Sequence, residues 1–308
     1  MGKVDRLKIW YRDEGVVGVG KATWVTAVYL TPLYHVLETA VGKELHEKMI
    51  RGPRLGYWPE IQNPRTFNEK VLHRKLYSDR ELYTTVADKW AVREYVADKV
   101  GDEILNEVYH VTDDPMTIPF KELPNEFVIK ANHGCGWMTF VEDKANADYD
   151  EIRSECEEWL EKSYGTQKRE YWYRRIEPKV VVENFIRNDE NEVPRDYKMY
   201  VFNGEVKYIH IDFDRFGSPS RRFFDRDWTP MEFRKGGIPL GPVDEKPERY
   251  EEMVEIAETL GEDFDFVRVD LYNPDSDRII FGEMTMAPGS GISPFEPRQY
   301  DFEFGSYW

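Results

Sequence analysis

Cysteine is nearly absent from this sequence: Cys135 and Cys156 are the only two in 308 residues. Two thiols without metal-ligand spacing exclude a zinc ribbon and a multi-bridge secreted framework, so a reducing compartment, the cytoplasm, is the expectation. Long apolar runs are missing as well. The most hydrophobic stretch, 22–41, is interrupted by Pro32, His35 and Glu38. It falls short of the ~20 apolar residues that a spanning helix needs, and reads as a packed helix pair, with peripheral contact at a membrane surface as the alternative. The opening MGKVDRLK has no signal-peptide pattern, and Arg6 stands where a myristoylation motif requires Ser or Thr. Positive charge is in deficit too, with 42 Lys and Arg against 59 Asp and Glu, a net charge of −17. That balance excludes a nucleic-acid binder relying on clustered Lys and Arg, and it confines any anionic ligand to local basic pockets. Internal repeats and low-complexity linkers are absent, which argues for closely packed subdomains.

What remains is enough to build a core, since 41% of the residues are hydrophobic and 15% aromatic. Residues 1–80 read as helical and irregular, with Thr66 and Glu69 in NPRTFNEK spaced as a capping box. A helix follows Asp88, carried by Trp90, Tyr95 and Val96 and stopped by Gly101. EFVIK (126–130), ANHGCG (131–136) and WMTFV (137–141) read as strand, turn and strand. Ile152, Cys156, Trp159 and Leu160 mark an amphipathic helix, and KVVVENFI (179–186) a buried strand. YKMYVFNGEVKYIHIDF (197–213) is a hairpin about Asn203-Gly204, the strongest turn signal in the chain. Tyr250, Met253, Val254, Ala257 and Leu260 give one helix face with Gly261 as its expected stop, before two strands, 264–272 and 278–284.

Strand alternation then isolates the chemistry. Side chains two apart share a face, so Arg268 joins Asp270, and Glu283 joins Thr285. Charges that interrupt a β-branched strand are costly to bury unless paired or metal-bound, which points to a site for a hard cation and an anion; the alternative is a solvent-facing edge with an Arg–Asp salt bridge. Lys130 ends a strand before the loop His133-Gly134-Cys135-Gly136, where glycines free backbone N–H groups for phosphate oxygens and a lysine adds a point charge. No GK[ST] follows, so this is not a Walker loop. His133 reads first as an ordinary loop hydrogen-bonder and only second as an assisting base, and Cys135 as a small residue in a tight turn and not a nucleophile. Arg215, Arg221 and Arg222 form a basic cluster among phenylalanines, suited to an anionic substrate or to balancing Asp225 and Asp227.

The order of these features resembles the ATP-grasp superfamily: Lys89 at a helix start, Lys130 before a glycine loop, Glu183 closing a strand, then Arg268-x-Asp270 and Glu283-x-Thr285. NPRTFNEK, ADKWAVREYV, LPNEFVIKANHGCG, DYKMYVFNGE, FDRDW, FVRVDLY and FGEMT look like its TupA-like branch, associated with teichuronopeptide and other cell-surface polysaccharide synthesis. The resemblance implies that ATP is held by Lys89, Lys130, His133, Gly134, Gly136, Glu183, Asp196 and Lys198, and Mg2+ by Asp270, Glu283 and Thr285. It also implies that Arg268 and Lys130 act on the transferring phosphoryl group. Thr285 departs from the superfamily, where many members carry Asn, and shares the threonine of the TupA-like branch.

The implied fold is α+β: a mostly helical region over 1–103, a lid over 104–182 and a catalytic sheet subdomain over 183–308. An ATP-dependent carboxylate–amine ligase working through an acyl phosphate is the implied activity, joining an amine or amino acid to a uronic acid or related glycan precursor. The rivals are an ATP-grasp phosphotransferase, which shares every nucleotide residue, and a nucleotide-binding protein without turnover. No nucleic-acid partner is expected.

Overall fold

The computed structural model describes residues 33–165, 168–188, 192–214, 217–275 and 278–308. Arg215 and most of the apolar stretch 22–41 lie outside the described residues. In chain order, helices α1 (Leu33–Val41), α2 (Lys43–Leu55), α3 (Phe67–Tyr77), α4 (Glu81–Ala87) and α5 (Val92–Val100) come first. Strands β1 (Val108–Thr112), β2 (Phe127–Ala131) and β3 (Met138–Val141) precede α6 (Tyr149–Glu161). Next come β4 (Val180–Asn184), β5 (Asp196–Phe202), β6 (Glu205–Phe213), β7 (Ser220–Asp225), β8 (Pro230–Met231) and β9 (Arg234–Lys235). The chain closes with α7 (Tyr250–Gly261), β10 (Phe266–Asp275), β11 (Arg278–Thr285), β12 (Phe295–Glu296) and α8 (Gln299–Tyr307).

These elements form two compact units, one of 33–78, 235–237 and 289–307, the other of 79–234, 238–288 and 308. In the first, Thr66 caps α3 as its spacing predicts: its hydroxyl accepts from the Glu69 amide, and Glu69 returns the bond to the Thr66 amide. Each such cap satisfies donors that the helix start leaves orphaned and contributes about 1 kcal/mol. Phe67, fully buried, meets Phe295 and Phe304 edge-on at 6.1 and 6.0 Å, tying α3 to α8. Asp301 accepts from the Asn68 amide at 2.9 Å and from the Tyr57 hydroxyl at 2.9 Å, so its buried charge is paired.

The second unit contains two antiparallel sheets. One runs β1-β4-β2-β3, as the EFVIK and WMTFV hairpin predicts, and its covered face packs on α6 through Phe127, Ile129, Ile152, Cys156 and Val182. Lys130 alternates out of that core. The other sheet runs β11-β10-β5-β6-β7-β8, with its central hairpin turning at Asn203 (φ 49°) and Gly204 (φ 81°). Met253, Val254, Ala257 and Leu260 of α7 cover one face of it, against β5, β6 and β10. Gly261 does not stop that helix; it is its last residue, and a side chain there would stand 2.5 Å from Val201 Cγ1. The glycine lets the helix end lie on the sheet. The opposite face, freed from α7, carries the charges.

Candidate active site

Lys89 sits in the turn between α4 and α5, and its ammonium donates to the carbonyls of Ala131, at 3.2 Å, and Gly134. The backbone repeats the tether, Lys89 N–H donating to Asn132 O at 3.1 Å. Asn132 is fully buried and holds the loop through the Glu177 carbonyl at 3.0 Å and the Lys179 amide at 2.7 Å. Nothing in its polarity distinguished it from other loop asparagines in the sequence. Burial pulls the Lys89 ammonium below its ordinary pKa, opposed by Cys135, Glu283 and Glu183 and reinforced by Lys130. Those influences mark the groups that surround it.

Lys130 and Glu183 face each other across β2 and β4. Lys130 pairs with Val181 and Val128 with Glu183, so both charged residues fall on one face, and Lys130 Nζ meets Glu183 Oε1 at 2.5 Å. His133, placed in the nucleotide set by resemblance, lies buried, its Nε2 at 3.0 Å from the Trp159 carbonyl and its Nδ1 at 3.1 Å from Asn132 Oδ1. It fastens the glycine loop to α6. Beside the loop, Tyr173 OH stands 3.4 Å from Cys135 Sγ.

The remaining charges stand on the sheet. Arg268 pairs in register with Thr285 and Asp270 with Glu283, while on the other side Asp270 pairs with Lys198 and Arg268 with Tyr200. One face therefore collects Glu283, Thr285, Asp270, Arg268, Lys198 and Tyr200. A bulge at Gly282 sets that register, and a side chain there would come within 2.9 Å of the Asp270 carbonyl oxygen. Arg268 grips Asp270 with two nitrogens, each at 2.6 Å, and reaches Glu283 Oε1 and Thr285 Oγ1 at 3.0 Å. Lys198 Nζ donates to Asp270 Oδ2 at 2.7 Å and to Asp196.

Among the described residues, the side chains of Asp196, Asp270 and Glu283 thus hydrogen-bond to two cations, Lys198 and Arg268, with Lys89 acting on Glu283 electrostatically. Burial, aided by Asp196 and Glu283 against the two cations, raises the Asp270 carboxyl to about 6. Burial acts the same way on Glu283, but there Arg268, Lys198 and Lys89 prevail and hold it below its ordinary value. Asp270 is thus the carboxylate whose negative charge is least stabilised. Among the described residues no three His, Cys, Asp or Glu side chains form a metal-holding group. Magnesium, however, commonly takes only one or two carboxylates and completes its shell with water and phosphate. Two carboxylates and a hydroxyl on one part-buried sheet face fit that ion.

Not every expected residue joins the cluster. Arg222 points away from Arg221 and donates at 2.9 and 2.7 Å to the Gly241 carbonyl and at 2.8 Å to Glu232. Arg221 shares the charged face but stands two strands beyond β5, on β7. A separate cleft of about 650 Å³, lined by Lys99, Asn106, Glu255 and Arg278 among others, contains none of the clustered charges. Its Lys99 and Arg278 are already paired, with Glu262 and Asp275, both at 2.5 Å. The chemistry is assigned to the converging charges instead.

Several solved structures share a likeness with the chain. D-alanine–D-alanine ligase from Bacillus anthracis is 17% identical, with 67% of this chain and 57% of that one covered and a TM-score of 0.38. L-amino acid ligase from Bacillus licheniformis is 14% identical, at 73% and 50% coverage and a TM-score of 0.43. N5-carboxyaminoimidazole synthase from Aspergillus clavatus, in complex with ADP and 5-aminoimidazole ribonucleotide, is 12% identical, at 65% and 44% coverage and a TM-score of 0.39. The chain thus spans 57%, 50% and 44% of the lengths of these structures. No curated protein matches it. A sequence model of the TupA-like ATP-grasp family matches residues 69–308, which contain every member of the charged cluster, and this chain, with its α+β ATP-grasp fold, belongs to that family.

Proposed function

We propose that this chain is an ATP-dependent carboxylate–amine ligase. The γ-phosphoryl group of ATP passes to a substrate carboxylate oxygen, releasing ADP; an amine then attacks the acyl carbon, expels phosphate and leaves an amide with loss of one proton. The observation that carries the reading is Arg268 held among Asp270, Glu283 and Thr285 on one sheet face, with Lys130 on the other sheet of the same unit and Lys89 in the α4–α5 turn beside it.

Phosphoryl transfer needs positioning and charge neutralisation more than covalent help from the protein. Lys89 and Lys130 supply positive charge for the phosphates, with the amides of the Gly134 and Gly136 loop beside them, and Glu183 is released by Lys130 to accept from the nucleoside. Asp270 and Glu283, with Thr285, would hold magnesium, which shields the phosphate charge as it redistributes. Arg268, freed from Asp270, offers its fork to the transferring group and to the oxyanion of the tetrahedral adduct, a bidentate task that lysine performs poorly. Residues 104–182, which bear Lys130 and the glycine loop, are the lid in this reading. Family membership favours a uronic acid or related cell-surface polysaccharide precursor as the carboxylate, and an amino acid or other amine as the acceptor.

The test follows ADP and product in parallel while carboxylates and amines are varied, with hydroxylamine present as a trap. Wild-type enzyme should yield hydroxamate. Arg268→Ala should lose roughly a hundredfold in coupled product, the ~3 kcal/mol that removal of one such donor costs, and should retain some substrate-dependent ADP release. A stable phosphorylated sugar or alcohol as the final wild-type product, with no amine incorporated, would replace the ligase by a phosphotransferase.

A further inference from the structure

The polar face that carries Arg268 and Lys198 continues beyond β5. Lys198 stands opposite His210, and Asp212 opposite Arg221, so register places all four on the face of Asp270 and Glu283. His210 is 1% exposed, and among the described residues neither ring nitrogen has a hydrogen-bond partner. Its Nε2 stands 3.6 Å from Asp212 Oδ2, and the rings of Tyr200 and Phe223 flank it at 5.6 and 4.9 Å. Burial, then the guanidinium of Arg221 and more weakly that of Arg268, holds the imidazole well below its ordinary pKa against the opposing pull of Asp212. It therefore offers one N–H and one lone pair. A buried polar group without a partner costs roughly 1–3 kcal/mol, and such groups are retained where something else completes them.

Arg221 is incomplete in the same direction. Its Nε donates to Asp212 Oδ1 at 2.6 Å, but among the described residues its two terminal nitrogens donate to nothing. Asp212 lies between the two, bonded to one and 3.6 Å from the other, and both Asp212 and Arg221 are part-exposed, at 17% and 18%. A guanidinium fork beside a neutral imidazole matches a carboxylate with a hydroxyl or amino group next to it. We propose that His210, Asp212 and Arg221 form the subsite for the anionic end of a substrate, an acid of that kind, with the carboxylate on Arg221 and the neighbouring polar group on His210. The subsite deepens the ligase reading and rests on it for the reaction its occupant enters. Amino acids and sugar acids share this chemistry, and the test separates them.

The protein is labelled with 15N in its six histidines, and His210 is assigned by loss of its signals in His210→Gln. The probes are the twenty amino acids, D-glucuronate and D-galacturonate, each beside its methyl ester, with ADP release from ATP followed in parallel. At least one acid should shift the His210 ring nitrogens while its ester does not, and the responding arm tells amino acid from sugar acid. Arg221→Gln, a part-exposed position that spares the core, should raise the acid concentration required by about tenfold or more and leave half-saturation by ATP unchanged. If no acid moves the His210 signals the subsite is wrong, an ordered water completes the ring, and acid-driven ADP release would still uphold the ligase. A shift with some acid but ADP release with none keeps the subsite and removes the ligase reading.

Discussion

Asp270 is the residue on which the cluster's electrostatics turn. Its carboxyl sits at about 6, above its ordinary 3.8, because burial and two neighbouring carboxylates outweigh Arg268 and Lys198. The sign follows from linkage: an acid whose pKa is raised on folding contributes stability fully present below its unfolded pKa and lost as pH rises through the folded value. Between pH 4 and 7, in the absence of a bound cation, the wild type should therefore give up on the order of 2 kcal/mol at this one position. Asp270→Asn, which cannot ionise, should melt above the wild type at pH 8 in EDTA, and the gap should close towards pH 4. Thermal melts of both proteins across that range decide it; equal melting temperatures at pH 8 would show that Arg268 and Lys198 already satisfy the charge. The same substitution should abolish ADP release, since it removes the carboxylate assigned to magnesium.

At the scale of elements, the β10–β11 pair converts two sequence patterns into one site. Alternation alone puts Arg268 with Asp270 and Glu283 with Thr285, and both pairs were legible in FVRVD and FGEMT. Which pair opposes which was not. Register between strands depends on the turn and on any bulge, and the bulge at Gly282 is what sets Asp270 against Glu283. Gly282→Ala would press a methyl group against the Asp270 carbonyl, a backbone atom that cannot swing aside. Overpacking of this kind costs about 1–3 kcal/mol. The variant should melt lower and lose most turnover although it touches no substrate. Full ADP release from a destabilised Gly282→Ala would show that the register tolerates a slip. The Asn203-Gly204 hairpin was read correctly, yet its register was not legible: counted from that turn Lys198 would oppose Ile209, and the irregularity between Tyr200 and Val201 is what puts His210 opposite Lys198 and into the site. Arg221 and Arg222 illustrate the opposite limit. Adjacent strand residues must point to opposite faces, so both could not serve one anion, and only pairing shows that Arg222 is the one spent on Gly241.

For the whole molecule, the net charge of −17 acts at a distance that local pairs do not cancel. Exposed pairs such as Lys246–Glu251 and Arg226–Glu251 contribute little, whereas mutual repulsion among the excess carboxylates is spread over the surface and screened by salt. The Debye length shrinks from ~10 Å at 0.1 M to ~3 Å at 1 M. The melting temperature should accordingly rise by several degrees as KCl goes from ~0.1 to ~1 M, and an equal osmolarity of glucose should not reproduce the effect. A melting temperature that falls with KCl would mean that ion pairs outweigh repulsion. The same field repels a nucleotide carrying several negative charges, and the Lys130–Glu183 contact at 2.5 Å determines what the nucleotide finds on arrival. If Lys130 receives a nucleotide phosphate, as proposed, Glu183 is in effect a tethered competitive inhibitor, present at a local concentration that no free anion in solution can match. A lone phosphate, having one charged group to offer, loses that competition. A nucleotide held at several points at once would win it, and the proposed site would then sort visitors by valency before testing their shape.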